Sequence, residues 1–387
     1  MNRRLTLAGL LVVGLLLALL LYPASRPDGT PGTATELGLN DVLGSSTPDD
    51  FARVLGPHRF VFPRDHGPHP EYRSEWWYVT GNLRTDRGKR FGFQLTFFRF
   101  ALSAEAELSR SAWATNQAWM AHLAVTDVSG QHFYSFERLS RGVLGMAGAR
   151  AKPFHVWLED WELGAVADTT FPIRLVAAED GVSLTLEAQT GKPLVLQGDQ
   201  GLSQKGDEPG NASYYYSKTR LPVSGQIETP HSGQLAVTGL AWLDREWGTS
   251  ALGHEQVGWD WFALQLGDNV ELMFYRLRRR DGSADPHSAG SLVRADGTVA
   301  RLAHDDVRIE VMDRWRSEHT NAIYPSGWRL SVPSASLDLR LRPELRDQEM
   351  DHSVRYWEGA VSVEGTRAGE PIRGHGYVEL TGYDAGQ

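Results

Sequence analysis

WYVTGNL at residues 77–83, followed by QLTFFR at 94–99, recurs as WFALQL at 261–266, followed by ELMFYR at 271–276. The offsets are 184 for the first element and 177 for the second. Two further stretches repeat in the same order. YYYSKTRLPVSGQ (214–226) leads into VTGLAWLDREW (237–247), and VRYWEGAVSVEG (354–365) leads into IRGHGYVELTGY (372–383). Trp242 pairs with Tyr377 at an offset of 135, and Gly225 with Gly365 at 140. Four pairings in one order describe two copies of a single unit, the first carrying roughly 40 more residues in its middle. Each copy opens on an aromatic strand and closes on a glycine-flanked aromatic strand.

The periodicity inside these copies is two. Phe93, Leu95 and Phe97 share one face, with Gln94, Thr96 and Phe98 on the other. Leu337, Leu339 and Leu341 alternate with Asp338, Arg340 and Arg342. Such runs, broken by Asp-Gly and Asp-Asn turns, predict antiparallel sheet, and barrels or sandwiches are the architectures that manage its edges. Helical periodicity is almost missing after residue 50.

Composition narrows the function classes. Of 387 residues, 41% are hydrophobic and 22% charged, as in a globular chain. There are 13 tryptophans and no cysteine, which excludes thiol catalysis, disulfides and thiolate metal sites. Lys plus Arg number 39 against 48 Asp plus Glu, a net charge of −9 without a long basic run. Nucleic acid is therefore not an expected partner. Arg3 and Arg4 precede LTLAGLLVVGLLLALLLY at residues 5–22, an uncharged run near the minimum for crossing a bilayer. It reads as a signal peptide or a signal-anchor helix. The bulk is then expected on the periplasmic side of the inner membrane, anchored through residues 5–22, or secreted. Residues 23–50 are rich in Pro, Gly, Ser and Thr and read as a flexible linker. Two β-domains follow, at 51–250 and 251–387.

Four runs carry a resemblance to a known family: FPRDHGPHPEYRSEWWYVTGNL (62–83), GLAWLDREWG (239–248), QVGWDWFALQL (256–266) and YWEGAVSVEG (356–365). Together they resemble the carotenoid 1,2-hydratases and AttH-like predicted secreted hydrolases, over about residues 59–383. The resemblance implies an all-β fold of two tandem lipocalin-like (calycin-type) antiparallel β-barrels after an N-terminal hydrophobic helix. It implies hydro-lyase or hydrolase chemistry on an isoprenoid or lipid. As the other role found in this family, it implies a lipid-binding accessory to an ABC-type permease. Where the hydratase branch has a His/Asp acid pair near the closing motif, this chain has Asp244-Arg245-Glu246-Trp247 with no histidine.

That block supplies the candidate catalytic residues. Three adjacent charges in an apolar strand are costly unless paired or exposed, and a buried carboxyl can stay protonated, ready to donate. Protonating an alkene needs such an acid, and aromatic faces stabilise the resulting cation. Asp244 or Glu246 is the expected acid, with Arg245 tuning its charge; the alternative is a structural Arg245 ion pair where the copies meet. Expected ligand contacts are Trp76, Trp77, Tyr78, His122, Tyr215, Trp247, Trp259, Asp260, Trp261 and Tyr275. For Trp76 and Trp77 the rival reading is plain core, and for His122 a satisfied core histidine. Asp260 is expected to pair with Arg245 or Arg276. Asp65, His66, His69 and Glu71 sit on a Gly/Pro loop that fixes no ligand geometry, so no metal is expected and the loop should cover a barrel mouth. Arg278-Arg279-Arg280 reads as a solvated hairpin end. No Gly-x-Ser-x-Gly, P-loop or dinucleotide motif occurs, and no cofactor is expected.

Overall fold

Alternation requires an apolar face for each strand, and the computed structural model shows two sheets that each close over such a face. It describes residues 50–104, 115–249 and 252–383. The apolar run at 5–22, and the linker at 23–50 apart from Asp50, lie outside these. Among the described residues no helix is long and apolar enough to cross a membrane, and regular structure consists of strands and short 3-10 turns.

The first sheet contains β1 (Ser74–Arg84), β2 (Arg90–Ala101), β3 (Gln117–Asp127), β4 (His132–Ser140), β5 (Ala147–Ala151), β6 (Phe154–Leu158), β7 (Trp161–Ala165), β8 (Ile173–Glu179) and β9 (Val182–Ala188). The short β10 (Val195–Leu196) and β11 (Leu202–Gln204) lead to β12 (Ala212–Thr229) and β13 (Gly233–Gly248). The order across the sheet is β4-β3-β2-β1-β13-β12-β9-β8-β7-β6-β5. First and last strands pair, and the two ends are consecutive in the chain, so the sheet curls into a nearly closed barrel.

The second barrel repeats the plan. Its strands are β14 (Gln256–Leu266), β15 (Glu271–Arg279), β16 (Ala289–Val293), β17 (Val299–Leu302), β18 (Arg308–Val311), the separate pair β19 (Arg314–Arg316) and β20 (Ile323–Pro325), β21 (Trp328–Val332), β22 (Leu337–Pro343), β23 (Glu349–Asp351), β24 (Arg355–Arg367) and β25 (Glu370–Thr381). The order β17-β16-β15-β14-β25-β24-β22-β21-β18 mirrors the first sheet. This is the tandem lipocalin-like architecture that the resemblance implies, and it matches the two copies read from the repeat. The additional length of the first copy lies in the β5–β7 meander and in the segment that carries β10 and β11.

Each barrel fills its own interior. Trp77, Val79, Phe93, Leu95 and Phe97 belong to the first core, and Phe262, Leu264, Leu339 and Leu341 to the second. Strands away from the junction alternate buried and exposed positions, as in β8 and β9. Strands at the junction are buried on both faces, because the described residues form one compact unit in which the barrels pack outer face to outer face. Tyr78, Tyr215 and Trp242 meet Trp261, Ala263, Met273 and Tyr377 there. Approach is close at Gly92, where a Cβ would stand 2.6 Å from Ala360 Cβ and 2.9 Å from the Tyr377 hydroxyl. Polar ties accompany the contact. Glu271 of β15 is held by Lys192 at 2.9 Å and Arg220 at 2.5 Å, and Thr126 donates to Gln348 at 2.7 Å.

The loop before β1 packs against the first barrel. The Trp77 indole N–H donates to His66 O at 2.9 Å, and His69 stacks on Trp247 at 3.8 Å. Beneath it Glu75, fully buried, is gripped by Arg99 and Arg245. The two guanidinium groups hold its carboxyl well below the usual range against the opposing effect of burial.

Glu75→Ala leaves two buried guanidinium groups unpaired and is expected to cost about 3–5 kcal/mol of stability. Urea denaturation reads this as a lower midpoint; an unchanged midpoint contradicts it. Gly92→Val is expected to destabilise the junction in the same assay, because its side chain overlaps Ala360.

Candidate functional site

The site follows from pleating. On a strand whose odd residues fill the barrel, the even residues face outward. In the first barrel the outward residues of neighbouring strands align into rungs. One rung runs Ser217, Asp244, Tyr78, Thr96, His122, Glu137 across β12, β13, β1, β2, β3 and β4. The next runs Tyr215, Glu246, Trp76, Phe98, Met120, Leu139. One rung is polar and the other largely apolar. The second barrel presents Glu358, Glu379, Trp261 and Tyr275 across β24, β25, β14 and β15. Between these outer faces lies a cavity of about 110 Å³, outside both barrel interiors. Trp76, Phe98, Phe100, Met120, Trp259, Trp261, Tyr275, Leu277 and Tyr356 form most of its wall, and Asp244, Glu246, Glu379, Lys205 and His122 supply its ionisable groups.

Asp244 is 3% exposed. It accepts hydrogen bonds from Ser217 Oγ at 2.5 Å, Trp242 Nε1 at 2.7 Å and the Tyr215 hydroxyl. All three donors are neutral. Burial therefore dominates: it pushes the carboxyl up to about 7, the three donors pull it down, and the Glu246 charge adds to the rise. Glu246 accepts from Ser213 and pairs with Lys205 Nζ at 3.2 Å. Lys205 lies 3.9 Å over the Tyr275 ring. Burial works against its charge, but Glu246, Tyr275 and Asp244 outweigh that and raise its pKa. Across the cavity Glu379 accepts from Trp259 Nε1 at 2.5 Å. Burial pushes it up to about 7, opposed by its hydrogen bonds with Trp259 and Glu358 and reinforced by the charges of Asp244 and Glu246. Glu358 accepts from the Tyr78 hydroxyl at 2.6 Å, and burial with the Glu379 charge drives it well above the carboxylate range. At the far end of the polar rung, His122 Nε2 faces Glu137 at 3.0 Å and Nδ1 faces the Tyr356 hydroxyl at 2.6 Å. These partners assign the ring proton to Nε2 and make Nδ1 the acceptor.

Of the residues expected from sequence, the structure brings Asp244, Glu246, Trp76, Tyr78, His122, Tyr215, Trp259, Trp261 and Tyr275 to this one cavity. It does not bring Arg245, Trp77, Trp247 or Asp260. Arg245, Trp77 and Trp247 have the opposite parity on β13 and β1 and point into the first barrel. There the Arg245 guanidinium lies 3.9 Å over Trp77 and pairs with Glu75: a structural ion pair, but inside the first barrel and not where the copies meet. Asp260 points into the second barrel and pairs with Arg278 at 3.0 Å, with the Tyr383 hydroxyl at 2.8 Å; its pairing is with neither Arg245 nor chiefly Arg276. Arg278, read as part of a solvated hairpin end, is thereby engaged, and its guanidinium also covers the Tyr383 ring at 3.7 Å.

The sequence repeat aligns Trp77 with Trp261 at an offset of 184. The ladders align Tyr78 with Trp261, an offset of 183, since Tyr78 opposes Asp244 and Trp261 opposes Glu379. A slip of one residue moves a side chain to the other face. Glu379, Glu358, Tyr356 and Lys205 also belong to this site and are not among the residues expected from sequence. Glu379 had a signal: the offset of 135 that pairs Trp242 with Tyr377 also places Glu379 at the position of Asp244. Lys205 comes from the segment peculiar to the first copy and had none.

Comparison with known proteins agrees with the fold. The model of the AttH-like family matches residues 53–383. The solved structure of a Nitrosomonas europaea protein described as an AttH has 36% identity, covering 87% of this chain and 100% of its own, with a TM-score of 0.77. Kievitone hydratase from Nectria haematococca superposes with a TM-score of 0.67 at 15% identity, over 88% of this chain and 98% of its own. A dehydratase of Emericella nidulans, asqC, is 23% identical over 152 residues, which is 36% of this chain and 42% of that protein. The chain thus spans less than half the length of this curated relative.

Tyr215→Phe removes a donor that favours the Asp244 carboxylate. A carboxyl-carbon NMR titration is expected to show Asp244 near pH 7 in the parent protein and higher in the variant. A parent titration near 4, or a downward shift in the variant, contradicts the assignment.

Proposed function

The chain belongs to the AttH-like family, and on that premise we propose that it is an acid–base enzyme of hydratase or hydrolase type acting on a hydrophobic isoprenoid or lipid in the cavity between its barrels. One observation carries the reading: Asp244, a buried carboxyl held by neutral donors alone, faces an aromatic cavity and is pushed up to about 7. Such a group keeps its proton near neutrality and can give it away.

Hydration of a trisubstituted alkene fits these residues best. The Asp244 proton goes to the alkene carbon bearing more hydrogens, and the π electrons form the new C–H bond. The cation left on the neighbouring carbon faces the rings of Trp76, Trp259 and Trp261, whose π density stabilises it. The Asp244 carboxylate produced is then stabilised by Ser217, Trp242 and Tyr215, whose hydrogen bonds are stronger to the ionised form. Water adds to the cation and gives the alcohol. Read backwards, the same steps dehydrate a tertiary alcohol. The names of the fungal hydratase and the asqC dehydratase support this class of chemistry on a related fold.

Asp244→Asn keeps the shape and removes the proton, so turnover is expected to fall about 10²–10⁴-fold while retention of an apolar ligand is kept. Mass spectrometry of co-purifying apolar compounds reads retention, and product formation reads turnover. If cellular function and ligand retention both survive the substitution, the protein is a carrier, the role in which it would serve an ABC-type permease. The rate should also fall as pH rises through about 7, where Asp244 loses its proton. The same shift makes the folded state bind more protons than the unfolded chain between about pH 4 and pH 7, so this group's contribution to stability falls as pH rises across that window. A rate that rises through pH 7 contradicts the acid role.

A further inference from the structure

Hydration needs two proton transfers, and Asp244 supplies one. Water attacking a cation must lose a proton, and a second group has to accept it. The internal repeat places a second carboxyl at the matching position. Asp244 lies between Ser217 and Tyr78 in its ladder, and Glu379 lies between Glu358 and Trp261 in the other. Both side chains reach the same cavity from opposite barrels.

The environments of the two acids differ in a way that divides their roles. Asp244 receives three neutral hydrogen bonds and has no carboxyl as a direct partner. Glu379 has Glu358 directly beside it, in hydrogen-bond contact. Two carboxyls in contact without a cation between them share one proton. Glu358 is the member that keeps it, because Glu358 is fully buried and the Glu379 charge lies against it. Its Oε1 accepts from Tyr78, while its Oε2 has no donor among the described residues. Glu379 is the member that lines the cavity and can be ionised, with the Trp259 indole N–H donating to it.

We infer that Glu379, backed by Glu358, is the base of the reaction, so that acid and base stand at equivalent positions of the two barrels. The inference rests on the hydration reading above. Each step balances. Asp244 gives a proton to the alkene carbon and becomes a carboxylate. The water oxygen bonds to the cation while the Glu379 carboxylate takes one of its protons. The product is the neutral alcohol. One proton passing from Glu379 to Asp244 restores both groups, and no oxidant, reductant or further reactant is needed. Glu379 touches the substrate water and is a catalytic residue; Glu358 acts through it and is a positioning residue.

The test separates the two proton transfers. The full-length protein is incubated with farnesene, an acyclic hydrocarbon ending in a dimethyl-substituted double bond, in deuterated water. Reversible protonation places deuterium in the probe, and completed hydration yields an alcohol. The parent protein should do both. Asp244→Asn should do neither. Glu379→Gln should keep deuterium exchange and lose alcohol formation about 100-fold. Glu379→Asp, which retains a carboxylate, should recover part of it. Glu358→Gln puts an amide donor beside Glu379, so the low-pH limb of the rate profile should move downward, a change that a merely structural role would not produce. If Glu379→Gln forms alcohol at the parental rate while Asp244→Asn does not, the base assignment is wrong and the hydration reading stands. If the parent protein neither exchanges nor hydrates the probe, both fall.

Discussion

A strand covered on both faces has no solvent side on which to leave its polar residues. That constraint governs this molecule. The outer faces of β1, β2, β12 and β13 are covered by those of β14, β15, β24 and β25, so side chains that an isolated barrel would hydrate are desolvated. Each such group must find a cation, a donor or a proton. Glu271 finds Lys192 and Arg220, and Glu246 finds Lys205. Asp244 finds only neutral donors, and Glu379 and Glu358 find each other. Glu271 and Glu246 are thus tied to cations, whereas burial without a cationic partner pushes Asp244 up.

The duplication explains why those groups converge. Two copies of one barrel that pack through the same outer strands bring equivalent positions of their closing strands toward a common space. Asp244 and Glu379 meet for that reason, and so do the rings flanking them, Tyr78 and Trp261, whose centroids stand 5.2 Å apart in an edge-on contact. Divergence of the copies then made the two carboxyls different. In the first copy the neighbour on the preceding strand is Ser217; in the second it is Glu358. The barrel interiors are filled by aliphatic and aromatic packing and by closed ion pairs, Glu75 with Arg99 and Arg245 in the first and Asp260 with Arg278 in the second.

Much of this was legible in the residues. Alternation gave the faces of β2 correctly, with Phe93, Leu95 and Phe97 inside and Gln94, Thr96 and Phe98 at the junction. The pairings of Trp242 with Tyr377 and of Gly225 with Gly365 match the ladders of the closing strands. What failed was parity. Trp77, Arg245 and Trp247 carry the residue types of a ligand site, yet they point inward, and a tryptophan looks the same on either face of a strand. Glu379 sits in an unremarkable Val-Glu-Leu context, and only the identity of the strand opposite makes it a buried acid. Charge alone marked Asp244-Arg245-Glu246 as a unit, whereas pleating sends Arg245 to the barrel core and its two neighbours to the cavity.

In the proposed reaction an apolar ligand sits between the barrels and not within one of them, and cross-linking tests this directly. A hydrocarbon bearing a photoreactive diazirine can be cross-linked to the full-length protein, with the labelled residues located by mass spectrometry. Labelling at Trp76, Phe98, Met120, Trp259 and Trp261 is the expected result. Labelling at the interior residues Phe93 and Leu95, or Phe262 and Leu264, with the junction left unmarked, would contradict it.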